Sequence, residues 1–116
     1  MTDSLVRLRG ALREFAKARD WDQFHSPRNL ATALSVEAAE LLEPFQWLTD
    51  EQSRNLSPAA RAAVEQEIAD VLLYLVRLAD KLGVDLEQAA FAKIARNEGK
   101  YPVEKARGSS RKYDEL

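Results

Sequence analysis

The sequence, 116 residues long, contains no cysteine and only one histidine. Without cysteine there is no disulfide frame and no thiolate metal site. One histidine is too few for a di-iron helical bundle, which uses Glu-x-x-His on two helices. No run approaches the ~18 apolar residues of a membrane span, so no membrane partner is expected. The opening MTDSLVRLRG lacks the apolar core of a signal peptide. An excess of positive charge is missing too. Seventeen Lys and Arg face nineteen Asp and Glu, for a net charge of −2. A general nucleic-acid binder would show a basic excess, so nucleic acid is not an expected partner. What the chain does have is 46% hydrophobic and 31% charged residues. That composition supports one core in a soluble, cytoplasmic protein, and the length suits a single domain over 1–116.

The four prolines and four glycines act as punctuation. Leu5, Leu8, Leu12 and Phe15 recur at helical spacing, with Gly10 as a weak spot. DWDQFHSPRN then reads as a loop. Ser26-Pro27 is a helix start, with serine as cap and proline at the first helical position. That second helix runs to about Pro44, which must bend or end it. LTDEQSRNLS reads as another loop. Ser57-Pro58 repeats the start signal, and the third helix runs to Gly83, a C-terminal stop. Asp85 with Gln88 caps a fourth helix that ends near Gly99. The tail, about 103–116, is expected to be irregular. No segment alternates like a strand. The expected fold is all-α, a four-helix bundle.

The second helix carries Glu37, Glu40 and Glu43 among leucines. At roughly 100° per residue, Leu30, Leu34, Ala38, Leu41 and Phe45 share one face. Glu43 falls opposite. Glu37 lies only about 60° from the centre of the apolar face and Glu40 about 120°. A carboxylate placed like Glu37 must be paired, hydrogen-bonded or bound to a metal. On the third helix Glu67 and Asp70 have the same spacing of three. Their narrow polar stripe continues through Tyr74, Arg77 and Lys81. Two such pairs on neighbouring helices can aim four carboxylates at one place, where unrelieved repulsion is strong. Oxygen ligands favour Mg²⁺, Mn²⁺ or Ca²⁺ over zinc or copper. Taken alone, either pair is more often a solvated helix face.

Longer stretches narrow the choice. WDQFHSPRNLATALSVEAAELLEPFQW, then EIADVLLYLVRLADKLGVDL, then KIARNEGKYPVEKARGSSRKY strongly resemble the MazG-like all-α nucleotide pyrophosphohydrolases, most of all the small dCTP pyrophosphatase branch. The resemblance covers Leu12 to Tyr113. It implies hydrolysis of a nucleoside triphosphate, dCTP or a modified dCTP-like one, to monophosphate and pyrophosphate. It implies that Glu37, Glu40, Glu67 and Asp70 hold Mg²⁺, with Mn²⁺ as an alternative, and that Glu37 and Glu40 sit at the catalytic centre. A carboxylate such as Glu40 could also take the proton of the attacking water. The same likeness puts Trp21, Trp47, His25 and Tyr74 near the nucleobase. Lys93 and Asn97 are assigned to the phosphates. Their other reading is a solvated helix end, where positive charge is favoured anyway. Arg28 and Asn29 are read as fixing the loop before the second helix. At Leu12 the sequence departs from the animal dCTP enzymes, which carry a histidine there. The competing function is a non-catalytic interaction or nucleotide-sensing module.

The third helix also predicts assembly. Its main apolar face, Ile68, Val71, Leu72, Leu75 and Leu82, is expected to meet the core. Val76 and Leu73, roughly 100° and 160° away, would form a second apolar surface needing another partner. The resemblance points to the same end, a homo-oligomer that is at least a dimer and more readily a tetramer.

Overall fold

A computed structural model describes residues 1–116. It is all-helical, with α1 Asp3–Ala18, α2 Pro27–Leu42, α3 Asp50–Ser53, α4 Pro58–Leu82, α5 Leu86–Lys100 and α6 Val103–Ala106. Two 3₁₀ turns, Asp22–Phe24 and Tyr113–Glu115, complete it. The four long helices begin and end close to where the sequence predicts. Ser26 accepts from Asn29 N–H at 3.1 Å, Ser57 from Ala60 N–H at 3.2 Å and Asp85 from Gln88 N–H at 3.0 Å. Each satisfies one of the donors that a helix start leaves free. Gly83 closes α4 in the left-handed region at φ 67°, where an L side chain would be strained. Gly10 does not interrupt α1.

Two expectations about loops need correction. LTDEQSRNLS contains α3, started by a full capping box in which Thr49 and Gln52 bond each other's backbone N–H. The Thr-Asp-Glu-Gln pattern was legible as such a start. The tail is not irregular throughout, since it holds α6 and the final 3₁₀ turn.

The chain divides into two compact units. One comprises Thr2–Val84. Here α4 is the central element, with α2 packed along it and α1 against it. Leu30, Ala16, Val64, Val76 and Ala79 form the buried core. The other unit comprises Met1 and Asp85–Leu116. Within it the Met1 ammonium pairs with Asp85 at 3.2 Å, beside the start of α5. Tyr113 packs edge-on to Tyr101 at 6.3 Å and beneath the Lys100 ammonium.

The α4 surface largely reverses the predicted assignment, with Val71 and Leu73 both half-buried. Ile68, Leu72, Leu75 and Leu82 are 53, 39, 39 and 57% exposed, whereas Val76 is 3% exposed and Arg77 5%. Helical periodicity shows that a helix has an apolar face. It does not show which of two apolar faces the rest of the chain covers.

Candidate active site

Capping at Ser26 and Ser57 sets the start of α2 and of α4, and their packing turns the two carboxylate pairs toward each other. One oxygen from each of Glu37, Glu67 and Asp70 lies within 4.8 Å of the others. Glu37 and Glu67 are half-buried and Asp70 is exposed. Oε2 of Glu37 and Oε2 of Glu67 are both buried and have no hydrogen-bond partner. Such orphan acceptors are rare because each costs its desolvation. No ion pair of the chain includes Glu37, Glu40, Glu67 or Asp70. Burial pushes the Glu37 carboxyl above its ordinary value, followed by the adjoining Glu40 carboxyl and the charges of Asp70 and Glu67. Burial likewise raises Glu67, with the charges of Glu40, Asp70 and Glu43. A cluster of hard oxygen donors with no cation of its own and two unsatisfied buried oxygens fits a divalent ion.

Asp70 also borders a recess of about 210 Å³ in the same unit, walled by Leu12, Phe15, Trp21, His25 and Tyr74. Tyr74 stands one turn beyond Asp70 on α4, as the polar stripe predicts. Trp21 is held edge-on to Phe15 at 5.6 Å. His25 is held by Arg77, whose Nε donates to His25 Nδ1 at 3.1 Å. Asn29 Nδ2 donates to the Phe24 carbonyl at 3.0 Å, so it fixes the loop as expected. An aromatic recess thus shares a carboxylate with the acidic cluster, so a ligand held by one reaches the other.

Three expected site residues are not brought to this recess within the unit. Trp47 is 86% exposed, on the segment after α2. Lys93 and Asn97 lie on α5, four residues apart on one face of the other unit; Lys93 is exposed and Asn97 half-buried. That unit has an open recess of about 670 Å³ lined by Lys105, Gly108, Ser109, Ser110 and Arg111, and none of the expected residues lines it. Among the residues of the α1–α4 recess missed in the sequence are Phe15, read only as core, and Arg77, read only as part of a polar stripe. Their roles depend on partners 6 and 52 positions away, which no local pattern names.

A MazG-like family model matches residues 32–116. The chain belongs to the MazG-like family. It is 52% identical over 105 residues to human dCTP pyrophosphatase 1, covering 89% of this chain and 62% of that protein. The mouse dCTP pyrophosphatase 1 is 50% identical over the same length and shares. The chain therefore spans about 62% of the length of these curated relatives. Among solved structures, a pyrophosphatase from Archaeoglobus fulgidus superposes with a TM-score of 0.82 at 40% identity, covering 88% of this chain and 95% of that one. This MazG-like chain has the all-helical pyrophosphatase fold that its sequence predicts, and no helix of it is long and apolar enough to cross a membrane.

Proposed function

We propose that this protein is a Mg²⁺-dependent nucleoside triphosphate pyrophosphohydrolase that releases a nucleoside monophosphate and pyrophosphate, with dCTP or a modified dCTP-like nucleotide as substrate. The observation that carries the reading is the convergence of Glu37, Glu67 and Asp70, with two buried oxygens lacking any partner. The names of the relatives support the reaction and the base. Glu37, Glu67 and Asp70, with Glu40 beside them, would hold the ion. Bound there, Mg²⁺ or Mn²⁺ would supply neutralisation of phosphate charge and a lowered pKa for the attacking water. Glu40 and Glu37 are proposed as the catalytic carboxylates, either of which would take the proton of the attacking water. Trp21, His25 and Tyr74 receive the base, and stacking contributes about 1–3 kcal/mol. Lys93 and Asn97 are proposed for the phosphates and Trp47 for the base. We assign the whole of 1–116 to one domain, because the family match runs through both compact units.

The working form is a homo-oligomer, a dimer or a tetramer. Ile68, Leu72, Leu75 and Leu82 make an uncovered apolar stripe on α4, and Trp47 stands 86% exposed. Surfaces of that kind on a single chain call for a partner. A second copy covering the stripe would make light scattering report a multiple of the 13.1 kDa chain. An active species at that mass would refute the assembly. For the reaction, a panel of triphosphates is incubated with Mg²⁺ and the products are identified. Monophosphate and pyrophosphate are expected. Diphosphate with orthophosphate would place cleavage at the wrong bond, and no product at all would favour the nucleotide-sensing alternative.

A further inference from the structure

Arg77 is the one charged side chain in the buried set of the chain, 5% exposed. It leaves α4 toward the segment between α1 and α2 and spends its guanidinium on three partners. Nε donates to His25 Nδ1 at 3.1 Å, Nη2 to Asp22 Oδ1 at 2.6 Å and Nη1 to Asp80 Oδ2 at 3.4 Å. Asp80 is held in turn by both Arg13 Nε at 2.8 Å and Arg13 Nη2 at 2.6 Å. Lys81 donates to Asp22 as well. The guanidinium is therefore locked on several sides, and its Nε–H has one direction in which to point.

That direction has a chemical consequence. A guanidinium offers only donors and stays charged at any pH a protein meets. The His25 nitrogen that faces it must carry a lone pair. An imidazolium would present N–H on both sides and has no such nitrogen. The ring is therefore neutral, with its proton on Nε2. Within the chain no hydrogen bond uses that Nε2, and His25 forms part of the wall of the aromatic recess. Solvated histidine would instead exchange between two tautomers and a cation around 6.5.

We propose that Arg77 is a positioning residue that fixes His25 as the Nε2–H tautomer, so that the recess presents a permanent hydrogen-bond donor and selects a base whose edge offers an acceptor there, a carbonyl oxygen or an unprotonated ring nitrogen. The base-selecting half rests on the reading of the recess as the nucleobase site. The tautomer does not. Electrostatics act in the same sense. Burial, then the charges of Arg77 and Lys81, hold the His25 pKa below its ordinary value, with the Asp22 carboxylate opposing them. A site built to donate to an acceptor discriminates strongly against a ligand without one, because the buried donor is then left unpaired.

The chain has a single histidine, so long-range ¹H–¹⁵N spectra of the labelled full-length protein show one imidazole. The wild type is expected to carry its proton on Nε2 and to titrate below 6.5. Arg77→Met is expected to show mixed tautomers and a higher midpoint. It should raise KM for dCTP about tenfold, the loss of one charge-oriented hydrogen bond, with kcat little changed. Arg77→Lys, which keeps the charge without the planar fork, should recover part of both effects. A wild-type proton on Nδ1, or an unchanged tautomer in Arg77→Met, overturns the proposal, and so does a tautomer change that leaves KM unaltered. Should Arg77→Met not fold, the wild-type and Arg77→Lys spectra decide the tautomer and the KM of Arg77→Lys decides the rest. Should the wild type hydrolyse no triphosphate, the pyrophosphohydrolase reading fails and takes the base-selecting half with it, while the spectrum still decides the role of Arg77.

Discussion

Helix α4 carries two clusters of charge, about two turns apart, and they are built on opposite principles. At Glu67 and Asp70 it meets Glu37 and Glu40 of α2, and all four charges are negative. At Arg77, Asp80 and Lys81 it meets Arg13 and Asp22, and the signs alternate. In the second cluster every charged group has an ion-pair partner inside the chain. In the first none has one, and two oxygens are buried without any partner. The pKa directions follow. Carboxyls of the alternating cluster are held low, Asp80 chiefly by its bond from Arg13 and Asp22 chiefly by its bond from Lys81. Glu37 and Glu67 are pushed up. A self-compensated cluster is complete as folded and serves to position. A like-charged one is stable only when a proton or a cation comes from outside. The contrast separates scaffold from proposed site on one helix.

The largest test of that contrast is to neutralise the acidic cluster. Glu37→Gln, Glu40→Gln, Glu67→Gln and Asp70→Asn, taken singly, should each lower the hydrolytic rate at least ~10²-fold. Each should also weaken the thermal stabilisation expected from Mg²⁺ in the wild type. A full-strength Mg²⁺ response in Glu67→Gln would mean the ion binds elsewhere.

Neutralising one member of the alternating cluster should act on the fold instead. Asp80→Asn removes an acceptor shared by Arg13 and Arg77 and should cost about 2 kcal/mol in a denaturant melt, with the Mg²⁺ response retained. A loss of Mg²⁺ response without loss of stability would erase the distinction between the clusters.

Smaller effects come from pH. For Glu37 and Glu67 the folded pKa lies above the ordinary 4.5. Their contribution to stability is full below 4.5 and is lost as pH rises through the folded value. For Asp80 and Asp22 the folded pKa lies below 3.8. Their contribution is present above 3.8 and is lost as pH falls through the folded value. In metal-free melts, raising the pH above 4.5 should therefore lower Tm through the acidic cluster, with His25, whose folded pKa lies below 6.5, acting in the opposite sense up to 6.5, and Mg²⁺ should cancel the part due to the acidic cluster. A slope insensitive to Mg²⁺ would assign it to other groups.

The smallest effect is expected at Glu43. It is exposed, as the helical wheel predicts, and its charge reaches the site only by adding to the rise of Glu67. Glu43→Gln should leave the rate nearly unchanged. A loss equal to that of Glu40→Gln would move the edge of the site outward along α2.

What the sequence determined by itself is the set of long helices and the acidic residues they carry. Ser26-Pro27, Ser57-Pro58, Asp85 and Gly83 mark helix ends through hydrogen bonds and backbone angles local to three or four residues. Glu37 stood out because its position on an apolar face is itself a local fact. What tertiary structure decided is every relation between residues far apart in the chain. The uncovered face of α4 was assigned the wrong way round because Leu75 and Val76 both belong to apolar surfaces, and only the packing of α1 and α2 chooses which one is covered. Arg77 looked like any member of a polar stripe. Its partners, His25 and Asp22, lie 52 and 55 positions earlier, and a charge becomes a positioning device only once folding has removed it from water and placed those groups around it.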